Sequence, residues 1–246
     1  MEAEIYTLSL IALVVFGASY IQSVTGFAFG IFSMIFLPSL LLYTEANVLS
    51  SMLSMLTSLT VAVVLFKKIS LKNLIFPLIG CLLSTFFAVS FIKAQKNEIL
   101  SLLLGIVLFL LSIYCYFFSS KIRIKPTWYA GLIAGVLSGI LGGMFSIGGP
   151  PVVIYFIQSE EDSEHYLATT SSYFVFSGII QVLIKANAGF ITTNVWWAFA
   201  IGIVGMLVGS FIGKLTRDKT DPKKIKKMVY GVMAISGIIN IVTSLI

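Results

Sequence analysis

Charge is scarce in this sequence. Its 246 residues include 16 Lys or Arg, 10 Asp or Glu and one histidine, so charged side chains make up 11% of the chain. A soluble domain of this length needs a polar surface, and so few charges cannot provide one. A single imidazole leaves nothing to build a ligand cluster from, and no metal or cofactor is expected. Cysteine is nearly absent too. Cys81 and Cys115 both fall within apolar stretches, which excludes a disulfide framework and makes them small apolar fillers. Met1 to Thr7 carry no basic leader of the secretory kind, and the apolar stretch that follows is far too long for one.

Hydrophobic residues make up 58% of the chain, with a mean hydropathy of +1.03. Every Lys, Arg, Asp and Glu lies outside eight apolar stretches: 5–43, 46–66, 74–92, 99–118, 127–157, 166–184, 194–213 and 228–246. Each can cross a hydrocarbon core of about 30 Å at about 1.5 Å per residue. The sequence therefore reads as an all-α integral membrane protein. Its net charge of +6 does not indicate nucleic acid, because the basic residues fill short loops, where they orient a protein against anionic lipid.

Two stretches are too long for one crossing. As straight helices, 5–43 and 127–157 would reach roughly 58 Å and 46 Å. The loop charges test what they do instead. If each crosses once, the Lys and Arg residues divide almost evenly between the two sides. If each is a hairpin returning to its starting side, Lys67, Lys68, Lys72, Lys121, Arg123, Lys125, Lys214, Arg217, Lys219, Lys223, Lys224, Lys226 and Lys227 share one face. Only Lys93, Lys96 and Lys185 remain on the other. That asymmetry places the first face in the cytoplasm and both termini outside, in a multi-pass protein of the cytoplasmic membrane. Each half, 1–120 and 121–246, then holds one broken, re-entrant hairpin and three transmembrane helices. The halves enter the membrane from opposite sides, an inverted-topology repeat. At an offset of 120, Gly26 to Gly30 lie over Ser146 to Pro150, Ser50 and Ser51 over Thr170 and Ser171, and Glu45 over His165.

Both long stretches contain a Gly-rich interruption, SVTGFAFG at 23–30 and GGMFSIGGPP at 142–151. Gly and Pro disfavour helix, and irregular backbone at membrane depth survives only where protein or a wet cavity covers it. A break exposes N–H groups at the start of the next helix, and these groups with the helix dipole favour an anion. Glycine lets substrate oxygens approach the backbone, and Pro150 and Pro151 suit a first helical turn. A midplane site of this kind needs no Lys or Arg, and the spans offer none. The candidate binding residues are Gln22, Ser23, Thr25, Gly26, Phe27 and Gly30 in the first half, with Ser50 and Ser51 from the next helix. In the second half they are Gly143, Ser146, Gly148, Gly149 and Pro150, with Thr170 and Ser171. The same small residues also serve close helix packing. Glu45 and His165, at segment ends, are candidates for gating or proton relay, or for simple capping. Gln181 and Asn240 read equally as path-lining or interhelical groups.

At QSVTGFAFGIFSMIFLP and SGILGGMFSIGGPPVVIYF the chain resembles the TauE/SafE family of sulfite-exporter-like membrane proteins, and the resemblance extends over its whole length. The second motif carries more of it, since Ala28 and Phe29 stand where more glycine is expected. The resemblance implies transport of a small anion such as sulfite, an organosulfonate or a related carboxylated sulfur compound. The expected protein is a secondary transporter with a small anionic substrate and the lipid bilayer as its partners, and with no nucleic acid. An anion channel is the alternative, since broken helices also build filters. An intramembrane hydrolase is the enzymatic one, but Ser146 has no base at its depth.

Overall fold

The computed structural model describes residues 2–117 and 124–245. Lys121 and Arg123, counted above among the basic loop residues, lie outside the described residues, as does the boundary between the two halves. The described chain is all-helical. Its helices are α1 (Glu2–Thr25), α2 (Phe29–Phe36), α3 (Tyr43–Val64), α4 (Leu71–Lys93), α5 (Asn97–Phe117), α6 (Trp128–Phe145), α7 (Gly149–Ser159), α8 (Ser163–Asn187), α9 (Thr193–Thr216) and α10 (Pro222–Leu245). Eight of them are long and apolar enough to cross a membrane. Their outward faces carry large apolar side chains such as Phe87, Val204 and Phe211, exposed by 72%, 60% and 64%. Such a surface is stable against lipid and not against water. The protein is an all-α integral membrane protein.

Both over-long stretches are broken, with limbs of unequal length. Each pairs a long helix, α1 or α6, with a short one, α2 of 8 residues or α7 of 11 residues. At about 1.5 Å per residue the short limbs reach about 12 Å and 16 Å, too little to cross. The boundaries keep one spacing: the ends of α1 and α6, the starts of α2 and α7, and the starts of α3 and α8 each lie 120 residues apart.

Glycine determines which helices touch and in which direction. Gly205, Gly209 and Gly213 of α9 lie against Ala12, Phe16 and Tyr20 of α1, in that order, so these helices run the same way. Gly135, Gly139 and Gly143 of α6 meet Pro77, Cys81 and Ala88 of α4, also in parallel. In contrast, Ser51 of α3 meets Lys185 of α8 while Met55 meets Gly178, so α3 and α8 are antiparallel. Gly105 of α5 meets Asn240 of α10 while Phe109 meets Gly237, and this pair is antiparallel too. Lipid offers apolar side chains no hydrophobic drive to associate. Backbone approach at small residues, with its dispersion and hydrogen bonding, holds such a bundle.

Candidate functional site

Each long stretch turns at a residue with left-handed backbone. Beyond α1, Gly26 has φ 83° and donates its N–H to the Gln22 carbonyl at 2.8 Å; beyond α6, Ser146 has φ 56° and donates to the Gly142 carbonyl at 3.0 Å. This is the αL way of ending a helix. Glycine adopts it freely. Serine, and likewise Ala28 at φ 84°, accepts it at about 1–2 kcal/mol each. Such strain is characteristic of functional sites.

The two turns meet. A Cβ on Gly30 would overlap the Ser146 carbonyl oxygen, so backbone touches backbone here, and Phe27 packs its ring over Gly149. A cavity of about 40 Å³ lies between the breaks. Ala28 to Ile31 form one wall and Ser146 to Gly149 the other. Side chains from the surrounding helices complete it, among them Gln22 of α1, Ser51 and Ser54 of α3, Ser138 of α6, and Ser177 and Gln181 of α8. Its walls are held by hydrogen bonds. Ser138 donates to the Gly148 carbonyl at 2.6 Å and accepts from Tyr173 at 2.8 Å. Gln22 donates to Ser58 at 2.6 Å. The Met144 carbonyl, near the end of α6, accepts from both Tyr43 and Asn47 at 2.7 Å.

The sequence model of the family described as "Sulfite exporter TauE/SafE" matches residues 11–239. The chain belongs to the TauE/SafE family. It is 23% identical over 240 residues to a "Probable sulfite/organosulfonate exporter TauE" of Cupriavidus necator, covering 95% of this chain and 93% of that protein. No solved structure matches it.

Within this TauE/SafE chain, six of the candidate binding residues line the cavity, Gln22, Gly30, Ser51, Ser146, Gly148 and Gly149, and so does Gln181, read in sequence as path-lining or interhelical. The others are placed around it. The Ser23 carbonyl accepts from Arg217 Nε at 2.9 Å. The Thr25 hydroxyl sits between the Ile21 and Phe27 carbonyls, at 2.7 Å and 2.6 Å, and holds the turn. Gly26 faces Tyr166 and Leu167, and Gly143 faces Ala88 of α4, where its smallness serves packing. Ser50 bonds Ser33 at 2.7 Å and ties α3 to α2. Pro150, Thr170 and Ser171 are buried without lining the cavity, and the Thr170 hydroxyl finds no partner among the described residues.

Neither Glu45 nor His165 lines the cavity. The Glu45 carboxylate accepts from the Leu42 N–H at 3.3 Å and the Thr192 hydroxyl at 2.6 Å, capping α3. His165 bonds Asp162 through its ring at 3.0 Å. The backbone N–H of His165, and then its ring, hold the exposed Asp162 carboxyl below its usual value.

One expectation is overturned. Lys185 is not a loop residue, and the spans do contain a cation. α8 runs on to Asn187, and Lys185 is fully buried within it. Its Nζ donates to Ser51 Oγ at 2.7 Å, the Gly142 carbonyl at 3.1 Å, Ser146 Oγ at 3.2 Å and Gln181 Oε1 at 3.4 Å. The sequence carries one signal for this placement. Gln181 and Lys185 share a face at i, i+4, and the helix stop is Gly189, at φ 86°, four residues further on. Side chains on a helix lean toward its N-terminus, so Lys185 reaches inward. Burying an ammonium costs several kcal/mol after relaxation. The carbonyl end of a helix returns about 2 kcal/mol at most.

Proposed function

We propose that this protein is a secondary transporter that carries a small sulfur oxyanion, sulfite or a short sulfonate, across the cytoplasmic membrane by alternating access around the cavity between the two breaks. The observation that carries this reading is the convergence of both Gly-rich turns on one cavity. Phe29, Gly30 and Ile31 open α2, where N–H groups have no carbonyl one turn back to bond. Such groups receive an anion. A volume of about 40 Å³ takes about three waters at about 10–15 Å³ each, the scale of a sulfite ion and not of an extended organosulfonate. The name of the Cupriavidus necator relative points to the same substrate class and to export.

The directions of the helix contacts support the inverted repeat. If both long stretches crossed the membrane once, α3 would run parallel to α8, and α5 to α10. If both return to their starting side, these pairs are antiparallel while α1 runs with α9 and α4 with α6. All four observed pairs fit the second arrangement. The basic residues of 67–72 and 214–227 then share the cytoplasmic face, with the termini outside.

Two measurements test this. Reconstituted protein is expected to show saturable uptake of labelled sulfite with exchange against internal sulfite; ohmic conductance without saturation would make it a channel. Cysteine introduced at Thr44 is expected to react with an impermeant thiol reagent from outside the cell only, and at Ser163 from inside only. Cys81 and Cys115 are buried and stay silent. Labelling of both sites from the same side would end the two-hairpin arrangement.

A further inference from the structure

Lys185 contributes a charge that the bundle does not balance. Among the described residues no carboxylate lies within ion-pair distance of its Nζ. All four of its acceptors are neutral. Three of them, on Ser51, Ser146 and Gln181, belong to residues lining the cavity between the breaks. The ammonium thus stands one hydrogen bond behind the cavity wall. Each of its four acceptors has a second partner, the Gly142 carbonyl in the Ser146 N–H and the Ser51, Ser146 and Gln181 oxygens in one another, so one of its three N–H donors can turn toward a ligand without stranding a buried group.

The two halves also differ in what they offer an anion. The first turn of α2 provides N–H groups from Phe29, Gly30 and Ile31. The first turn of α7 reads Gly149, Pro150, Pro151, and two of those residues have no N–H to give. Lys185 reaches the wall on that poorer side. Its counterpart at the 120-residue offset is Leu65, so the charge is present in one half alone.

We propose that the Lys185 ammonium is the fixed positive charge that binds the transported anion, completing on the α7 side the site that α2 lines with N–H groups. This rests on the anion-transport reading above. A capping role for the carbonyl end of α6 competes with it. That role needs only the Gly142 carbonyl, and the dipole returns less than desolvation of the ammonium costs. A bound anion supplies the missing counter-charge.

The test uses full-length protein in proteoliposomes, with Lys185→Met and Lys185→Gln, and sulfite as the probe. KM for sulfite is expected to rise about 30-fold or more, the low end for truncating one partner of a buried charge pair. Lys185→Arg, which keeps the charge, is expected to retain more sulfite affinity than either. The melting temperature of both neutral variants without sulfite should equal or exceed that of the unaltered protein, because an unbalanced buried charge is gone. A cap predicts the reverse: a lower melting temperature with KM unchanged. Sulfite KM within threefold of the unaltered protein in either neutral variant overturns the proposal. So does failure of both to reach the membrane, which would make the ammonium a structural element. If the unaltered protein neither binds nor moves sulfite, the transport reading falls first and this proposal with it.

Discussion

Gly30→Ala is expected to abolish transport while leaving the protein in the membrane. The substitution adds one methyl group, and the reason for so large an effect is where that group must go. It would overlap the Ser146 carbonyl oxygen, a backbone atom fixed by the turn that ends α6. Neither side can yield cheaply, because α2 is anchored through the bond between Ser33 and Ser50 and Ser146 through its bonds to Asn47 and Lys185. The breaks must therefore separate, and the N–H groups of α2 move off the cavity. Displacing substrate-positioning groups by about 1 Å costs on the order of 100-fold in rate, so sulfite flux should fall by about that factor or more. Gly149→Ala is the control. Its methyl would come 3.3 Å from the Phe27 ring, which can tilt, and most of the flux should survive. Wild-type flux in Gly30→Ala would show that the contact between the breaks is dispensable.

The sequence disclosed the parts of this fold that hydropathy and charge govern. Eight apolar stretches became the spanning helices, and the two that were too long are the two that break. Both breaks fall where the glycines cluster; in the first, Gly26 takes the left-handed turn without strain, and at Gly30 the facing backbone leaves no room for a side chain. What stayed hidden depends on partners distant in the chain. Gly143 and Gly30 look alike in sequence, yet one packs against Ala88 of α4 and the other against the facing break. Ser177 and Gly178 line the cavity from positions that no local motif marks, and Ser138 lines it from the first position of the second motif, where nothing singles it out. Lys185 follows an apolar stretch and so reads as a loop cation; only the continuation of α8 to Asn187 turns it inward. Ala28 departs from the Gly-rich pattern but keeps the left-handed backbone that glycine would have taken without strain.

The second large effect is expected at the contact between α1 and α9, which does not line the cavity. Gly209→Leu is predicted to prevent the protein from accumulating as a folded species. A Cβ there would overlap the Phe16 carbonyl oxygen, Gly205 makes the same close approach to the Ala12 carbonyl, and Gly213 packs against Ser23 and Tyr20. In lipid these helices have no hydrophobic drive to associate, so forcing them apart removes most of what joins them. Overpacking a well-fitted interior usually costs about 1–3 kcal/mol, and a leucine driven into backbone belongs at the upper end or beyond. Since α1 carries Gln22 and leads directly into the first break, any shift also reaches the cavity. Gly231→Leu provides the comparison, because nothing lies within 4 Å of a Cβ at that position of α10. Size-exclusion profiles and melting temperatures of detergent-extracted protein would separate the two, with Gly209→Leu aggregated or absent and Gly231→Leu unchanged. A monodisperse Gly209→Leu with the wild-type melting temperature would mean that α1 and α9 are held together by contacts other than this glycine stripe.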